Sequence, residues 1–119
     1  MLKNALAGIA VTNLAEAEVW YDNLFGRAPD TRPMGELVEW QFPDGGWLQL
    51  FEDQLRAGKT SVTLVETHFQ KRLEELNSLG IKILSVMQGD QVKVCIIHDP
   101  DGNQIVFAQG SAESHRAVM

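Results

Sequence analysis

The apolar positions of this chain change period in a fixed order, and the order is then repeated. Ala5 to Val11 is a short apolar run of strand length that leads to Asn13. Leu14, Ala17, Tyr21 and Leu24 follow at spacings of three and four, with Trp20 beside them, which is the stripe of an amphipathic helix. Asn13 is a good helix N-cap, Glu16 stands at the capping-box position, and Gly26 falls where a helix ends in the left-handed region. Period-two alternation takes over in Leu37 to Phe42 and Trp47 to Phe51, either side of the turn sequence Pro43-Asp44-Gly45-Gly46. Arg32 to Glu36 can supply part of one more strand.

The second half obeys the same grammar. Val65, Thr67, Gln70 and Gly80 stand 54 residues after Val11, Asn13, Glu16 and Gly26, and Pro100-Asp101-Gly102 stands 57 after Pro43-Asp44-Gly45. Thr67 is the expected cap of a second helix, with Gln70 closing its box, Phe69, Leu73 and Leu76 on its apolar face, and Gly80 ending it. Val92 to His98 and Gln104 to Ala108 read as strands flanking Asp99-Pro100-Asp101-Gly102-Asn103, and Ile81 to Val86 can supply part of another. The fold predicted is α+β: two tandem βαβββ modules, about 4–53 and 60–109, with a linker at 54–59 and a polar, unpatterned, mobile tail at 110–119. Duplication of this kind predicts a cleft between curved sheets. Leu48, Leu50, Ile105 and Phe107 are expected under the helices, with Trp47, Gln49, Phe51, Gln104, Val106 and Ala108 on the cleft side. Alternation leaves open whether Glu39 and Gln41 face the cleft or solvent.

Composition narrows the partners. Of 119 residues 45% are hydrophobic, enough for a real core in one domain. The net charge is −6 and no basic run occurs, which argues against a nucleic-acid backbone as partner. No run reaches membrane-spanning length, and Met1-Leu2-Lys3-Asn4 leads into the first strand without an apolar leader, so a cytoplasmic location is expected. Cys95, the only cysteine, excludes an intramolecular disulfide and a multi-thiolate metal site; between Val94 and Ile96 it reads as a buried strand residue. His68, His98 and His115 share no ligating spacing. His98-Asp99-Pro100-Asp101 is a turn sequence before it is a chelating one. There is no nucleophile elbow and no phosphate-cradling glycine loop, and Trp20 and Tyr21 read as helix packing residues.

Val11-Thr12-Asn13-Leu14 with Trp20-Tyr21-Asp22-Asn23-Leu24-Phe25-Gly26 resembles the first-module signature of the vicinal oxygen chelate superfamily. Asp99-Pro100-Asp101-Gly102-Asn103-Gln104-Ile105 resembles its second-module signature. The similarity spans residues 4 to 109 and implies the fold of the glyoxalases, extradiol dioxygenases, fosfomycin resistance enzymes and bleomycin-binding resistance proteins. It also implies a homodimer. Enzymes of the superfamily hold a divalent metal at four symmetric points, which carry over here to Leu6, Gln49, Thr60 and Val106. Family enzymes usually have His or Gln at the early points and Glu at the late ones. Leu6 and Val106 cannot ligate, Thr60 is a poor ligand and Gln49 offers one amide oxygen, whereas such sites need at least three protein donors. Neighbours within one residue supply no ligand either.

Two functions are therefore expected to compete. The first is a binding module without metal, cofactor or catalytic residue. Its aromatic or amphipathic ligand would sit against Leu6, Trp47, Gln49, Phe51, Thr60, Gln104 and Val106, as the bleomycin-binding branch sequesters a drug. The second is a glyoxalase-like lyase or ring-cleaving dioxygenase. It would use a divalent metal held by other residues, or acid–base chemistry by Glu39 or His98. A subunit role with a vestigial cleft is the remaining option.

Overall fold

The computed structural model describes residues 1–110; the tail predicted at 110–119, with His115, lies outside them from residue 111 onward. Elements follow in the order β1 (Leu6–Val11), α1 (Leu14–Phe25), β2 (Thr31–Met34), β3 (Leu37–Gln41), β4 (Trp47–Glu52), β5 (Ser61–Val65), α2 (Phe69–Ser78), β6 (Ser85–Gln88), β7 (Val92–His98) and β8 (Gln104–Gly110). This is βαβββ twice. Each half forms a four-stranded mixed sheet with the same strand order, β1-β4-β3-β2 and β5-β8-β7-β6. By contacts the chain divides into two units. One holds Met1–Val62 and the turn Asp99–Asn103, the other Thr63–His98 and the segment from Gln104.

In the first unit Leu14, Ala17, Tyr21 and Leu24 are the buried face of α1, as their spacing predicts. They cover the sheet face made by Ile9, Val11, Val38, Trp40, Leu48 and Leu50, all but excluded from solvent. Tyr21 and Phe25 stack at edge or tilted angles against Trp40, with ring centroids 6.2 and 5.3 Å away. The Trp40 indole N–H is satisfied by the Arg27 carbonyl at 3.1 Å. Asn13 caps α1 by accepting from the Glu16 amide at 3.0 Å, and Gly26 ends it at φ +72°.

The second unit buries Phe69 and Leu76 of α2 with Cys95, Ile97, Ile105 and Phe107. Burial raises the Cys95 thiol above its ordinary value, consistent with a packing residue. Its helix start departs from expectation. Thr67 does not cap α2: the helix begins at Phe69, and the Thr67 hydroxyl is engaged with Nδ1 of His68 at 3.1 Å. The Phe69 amide donates instead to Gln109 Oε1 at 2.7 Å, and the His68 amide to Glu66 Oε1 at 3.0 Å. A side chain from the end of the last strand has replaced the local cap. The first unit does the same in part, since the Leu14 amide donates to Glu52 Oε1 at 3.0 Å. Gly80, at φ +72°, ends α2 as expected, and Ile81 folds back to bond the Leu76 carbonyl at 3.0 Å. That return uses up residues 81–84, so β6 begins at Ser85 and takes only the end of the Ile81–Val86 segment.

The two turns are copies of one structure. Phe42 and Asp99 each donate their amide to the carbonyl four residues on, at 2.8 and 3.0 Å, with Gly45 at φ +101° and Gly102 at φ +95°. Only the second is polar inside. Asp99 and Asn103 are the buried polar residues of the core. Oδ2 of Asp99 accepts from the Tyr21 hydroxyl at 2.7 Å and from Asn103 Nδ2 at 2.8 Å. Oδ1 accepts from the amides of Asp101 and Asn103 at 3.0 and 2.8 Å. Asn103 completes the network, donating to the Ala10 carbonyl and accepting the Thr60 hydroxyl at 2.7 Å. The Asp101 carboxylate takes both the amide and hydroxyl of Thr12. The acidic turn is thus saturated by protein donors.

Burial, reinforced by the Asp99 charge, pushes the Tyr21 phenol far above its ordinary value. A folded value above the unfolded one contributes stability that is complete below about pH 10 and is lost as pH rises beyond it. Tyr21→Phe is expected to cost about 1–2 kcal/mol at pH 7 through the bereaved acceptor. Urea unfolding at pH 7 and pH 11 should show that gap narrowing in alkali; a constant gap would mean Tyr21 is not held neutral by burial.

Candidate functional site

Strand pairing assembles the other face of the first sheet row by row. Met34 pairs Leu37, which pairs Phe51, which pairs Ala10; Thr31, Glu39, Gln49 and Gly8 form the next row; Gln41, Trp47 and Leu6 the third. An apolar row therefore lies beside a polar one. α1 covers the opposite face, so this one keeps its side chains only half-buried or exposed, apart from Ala10.

A cavity of about 370 Å³ opens on it, lined by Met34, Glu36, Leu37, Gln49, Phe51 and Glu52. The volume suits a small organic molecule. Phe51 forms one wall. Its ring lies over β1 where Gly8 has no side chain: a Cβ there would meet Phe51 Cε1 at 3.1 Å. The guanidinium of Arg56 lies 5.0 Å from the ring centroid, and the same guanidinium is paired to Asp53 at 2.7 Å. At the centre Gln49 Nε2 donates to Glu39 Oε2 at 2.6 Å, while Glu39 Oε1 accepts from the Thr31 hydroxyl at 3.0 Å.

Of the residues singled out by sequence, Leu6, Trp47, Gln49 and Phe51 share this face, and Gln49 and Phe51 line the cavity. Gln104 and Val106 share one face of the second sheet, in rows with His98 and Ile96. Thr60 stands one residue ahead of β5 with its amide and hydroxyl both given to Asn103. Glu39, left open by alternation, lies on the Gln49 face. Met34, Glu36, Leu37 and Glu52 were not foreseen as lining. Alternation along β3 placed Leu37 with Glu39, but only the register, with its shift between Thr31 and Met34, brings Met34 to them.

The donor set does not suit a divalent metal. Leu6 and Val106 offer no donor atom, the Thr60 hydroxyl is spent on Asn103, and Gln49 is tied to Glu39. The residue beside Gln49 on β1 is Gly8, which supplies nothing. Among the described residues no three His, Cys, Asp or Glu side chains converge, and no helix is long and apolar enough to cross a membrane.

No family model and no curated protein matches the sequence. Solved structures do resemble it. A glyoxalase / bleomycin resistance protein from Catenulispora acidiphila aligns with TM-score 0.83 and 27% identity over 92% of this chain and 100% of its own. A lactoylglutathione lyase from Agrobacterium tumefaciens aligns with TM-score 0.76 and 17% identity, over 91% and 93%. An antibiotic-binding protein from a Streptomyces species does so with TM-score 0.76 and 18% identity, over 93% and 98%.

Proposed function

We propose that this chain, which has the fold of the vicinal oxygen chelate superfamily, is a metal-independent protein that binds an aromatic or amphipathic small molecule. The observation that carries the reading is the exchange of donors for packing at the superfamily's metal points. Two of the four positions are aliphatic, the Thr60 hydroxyl is given to Asn103, and Gln49, whose N–H end is held by Glu39, is left with a single amide oxygen. Fewer than three protein donors do not hold a first-row divalent ion against water. What the first sheet offers a ligand is apolar surface: Phe51, Leu37 and Met34 around a cavity, with Trp47 on the same face. Aromatic walls favour flat molecules by stacking. Antibiotic binding by a structural neighbour and the bleomycin resistance named for another support a sequestering role. The proposed setting is a cytoplasmic homodimer without nucleic-acid or membrane partners.

Two measurements test this. Chelator-stripped protein titrated with Ni, Fe(II), Mn and Zn should keep its melting temperature, because only an ion that binds the native state raises it. A shift with stoichiometric metal would overturn the metal-free reading and direct assays to lyase and dioxygenase substrates. A library of planar and amphipathic compounds, followed by tryptophan fluorescence, should yield ligands for which Phe51→Ala or Trp47→Ala lowers affinity about tenfold or more. Wild-type affinity in both variants would remove this face as the binding site.

A further inference from the structure

We infer that Glu39 is a positioning residue that sets the charge preference of the cavity on the first sheet, selecting ligands with a protonated amine or similar N–H donor over carboxylates. The inference rests on the binding reading above and deepens it.

At neutral pH a carboxylate accepts hydrogen bonds and cannot donate them. The amide of Gln49 has two unlike ends, and Glu39 Oε2 at 2.6 Å takes the N–H end. The chemistry of the pair dictates this orientation. Glu39 cannot turn away cheaply, since its other oxygen holds the Thr31 hydroxyl and its strand is paired on both sides. The Gln49 carbonyl oxygen is therefore the amide's uncommitted acceptor: among the described residues no protein donor reaches it. Gln49 is the only polar, uncharged side chain lining the cavity, and the charged lining residues, Glu36 and Glu52, are both acidic. Glu52 holds its carboxylate toward the Leu14 amide at the start of α1, so the charge in the polar row of this face is that of Glu39. Arg56, the cation over the Phe51 ring, is paired to Asp53. A ligand that sets its apolar body on Leu37, Met34 and Phe51 thus meets an acceptor and negative charge. A protonated amine satisfies the Gln49 carbonyl, whereas a carboxylate leaves it unpaired and faces like charge.

The test uses three probes on one ring system: 1-naphthylmethylamine, 1-naphthylmethanol and 1-naphthoate, titrated against the full chain by fluorescence at pH 7. Wild type is expected to bind the ammonium probe at least tenfold tighter than the carboxylate, with the alcohol between. In Glu39→Gln the partner no longer dictates the Gln49 orientation, and that ratio should fall at least threefold while alcohol affinity holds. Gln49→Met gives a second arm, keeping the alcohol and losing the preference. Melting temperatures confirm that each variant is folded. Equal binding of both charged probes by wild type, or an unchanged ratio in both variants, overturns the role of Glu39 and leaves the binding reading standing. Failure of all three probes at millimolar concentration overturns this face as a ligand site, and the inference with it.

Discussion

Gly58→Ala is expected to lower stability by about 2–4 kcal/mol, combining the cost of a left-handed residue with that of overpacking. Gly58 sits at φ +82°, and a Cβ there would fall inside the van der Waals surface of the Asp101 carbonyl oxygen. The obstacle is backbone, in a turn tied by the Asp99 and Asn103 hydrogen bonds, so it cannot rotate aside as a side chain would. Gly45 supplies the control. It too has positive φ, +101°, but nothing lies within 4 Å of its Cβ direction, so Gly45→Ala should cost only about 1 kcal/mol. Urea midpoints of the two variants separate conformation from collision. Equal losses would mean that the linker does not rest on the turn.

Asp99→Ala is expected to cost about 3–5 kcal/mol, because a buried charged acceptor is removed from beneath its donors. Four N–H or O–H groups converge on this carboxylate: the Tyr21 hydroxyl, the Asn103 side chain and the amides of Asp101 and Asn103. The Tyr21 hydroxyl and the Asn103 groups are buried and cannot reach water without opening the core. Combining Asp99→Ala with Tyr21→Phe removes donor and acceptor together, so the double variant should be less unstable than the two losses added, by about 0.5–3 kcal/mol. Strict additivity would show that the hydrogen bond between them carries no coupling. The two substitutions bracket the same turn from outside and inside.

Legibility in the sequence followed the range of the interactions. Helix α1 was readable at both ends because the Asn13 cap and Gly26 act within one turn of their positions. The repeated turns were readable for the same reason, their glycines being required locally by positive φ. The start of α2 was not, because its first amides are held by Gln109, forty residues away, and by Glu66, so Thr67 had no duty to perform. Alternation told the Trp47, Gln49 and Phe51 side of β4 from the Leu48 and Leu50 side, which needs only strand periodicity. It was silent on Glu39 as the partner of Gln49, which requires the β3–β4 register, and on Met34, which requires the register shift in β2. The sequence marked Asp99 and Asn103 as turn residues, which they are; their burial depends on Tyr21 and Ala10, far upstream.

That distance governs how the protein is made. Tyr21, Thr12 and Ala10 find their partners 78, 89 and 93 residues later in the chain. Synthesis at about 5–20 residues per second delivers the first repeat seconds before residues 99–103 exist. Through that interval the nascent segment has a helix stripe and four strands to collapse with, but its buried hydroxyl and carbonyl lack counterparts. Contacts so remote also slow the final step, since each closes a long loop before it is rewarded. The repeat that leaves the ribosome first waits on a turn of the second to complete its polar interior.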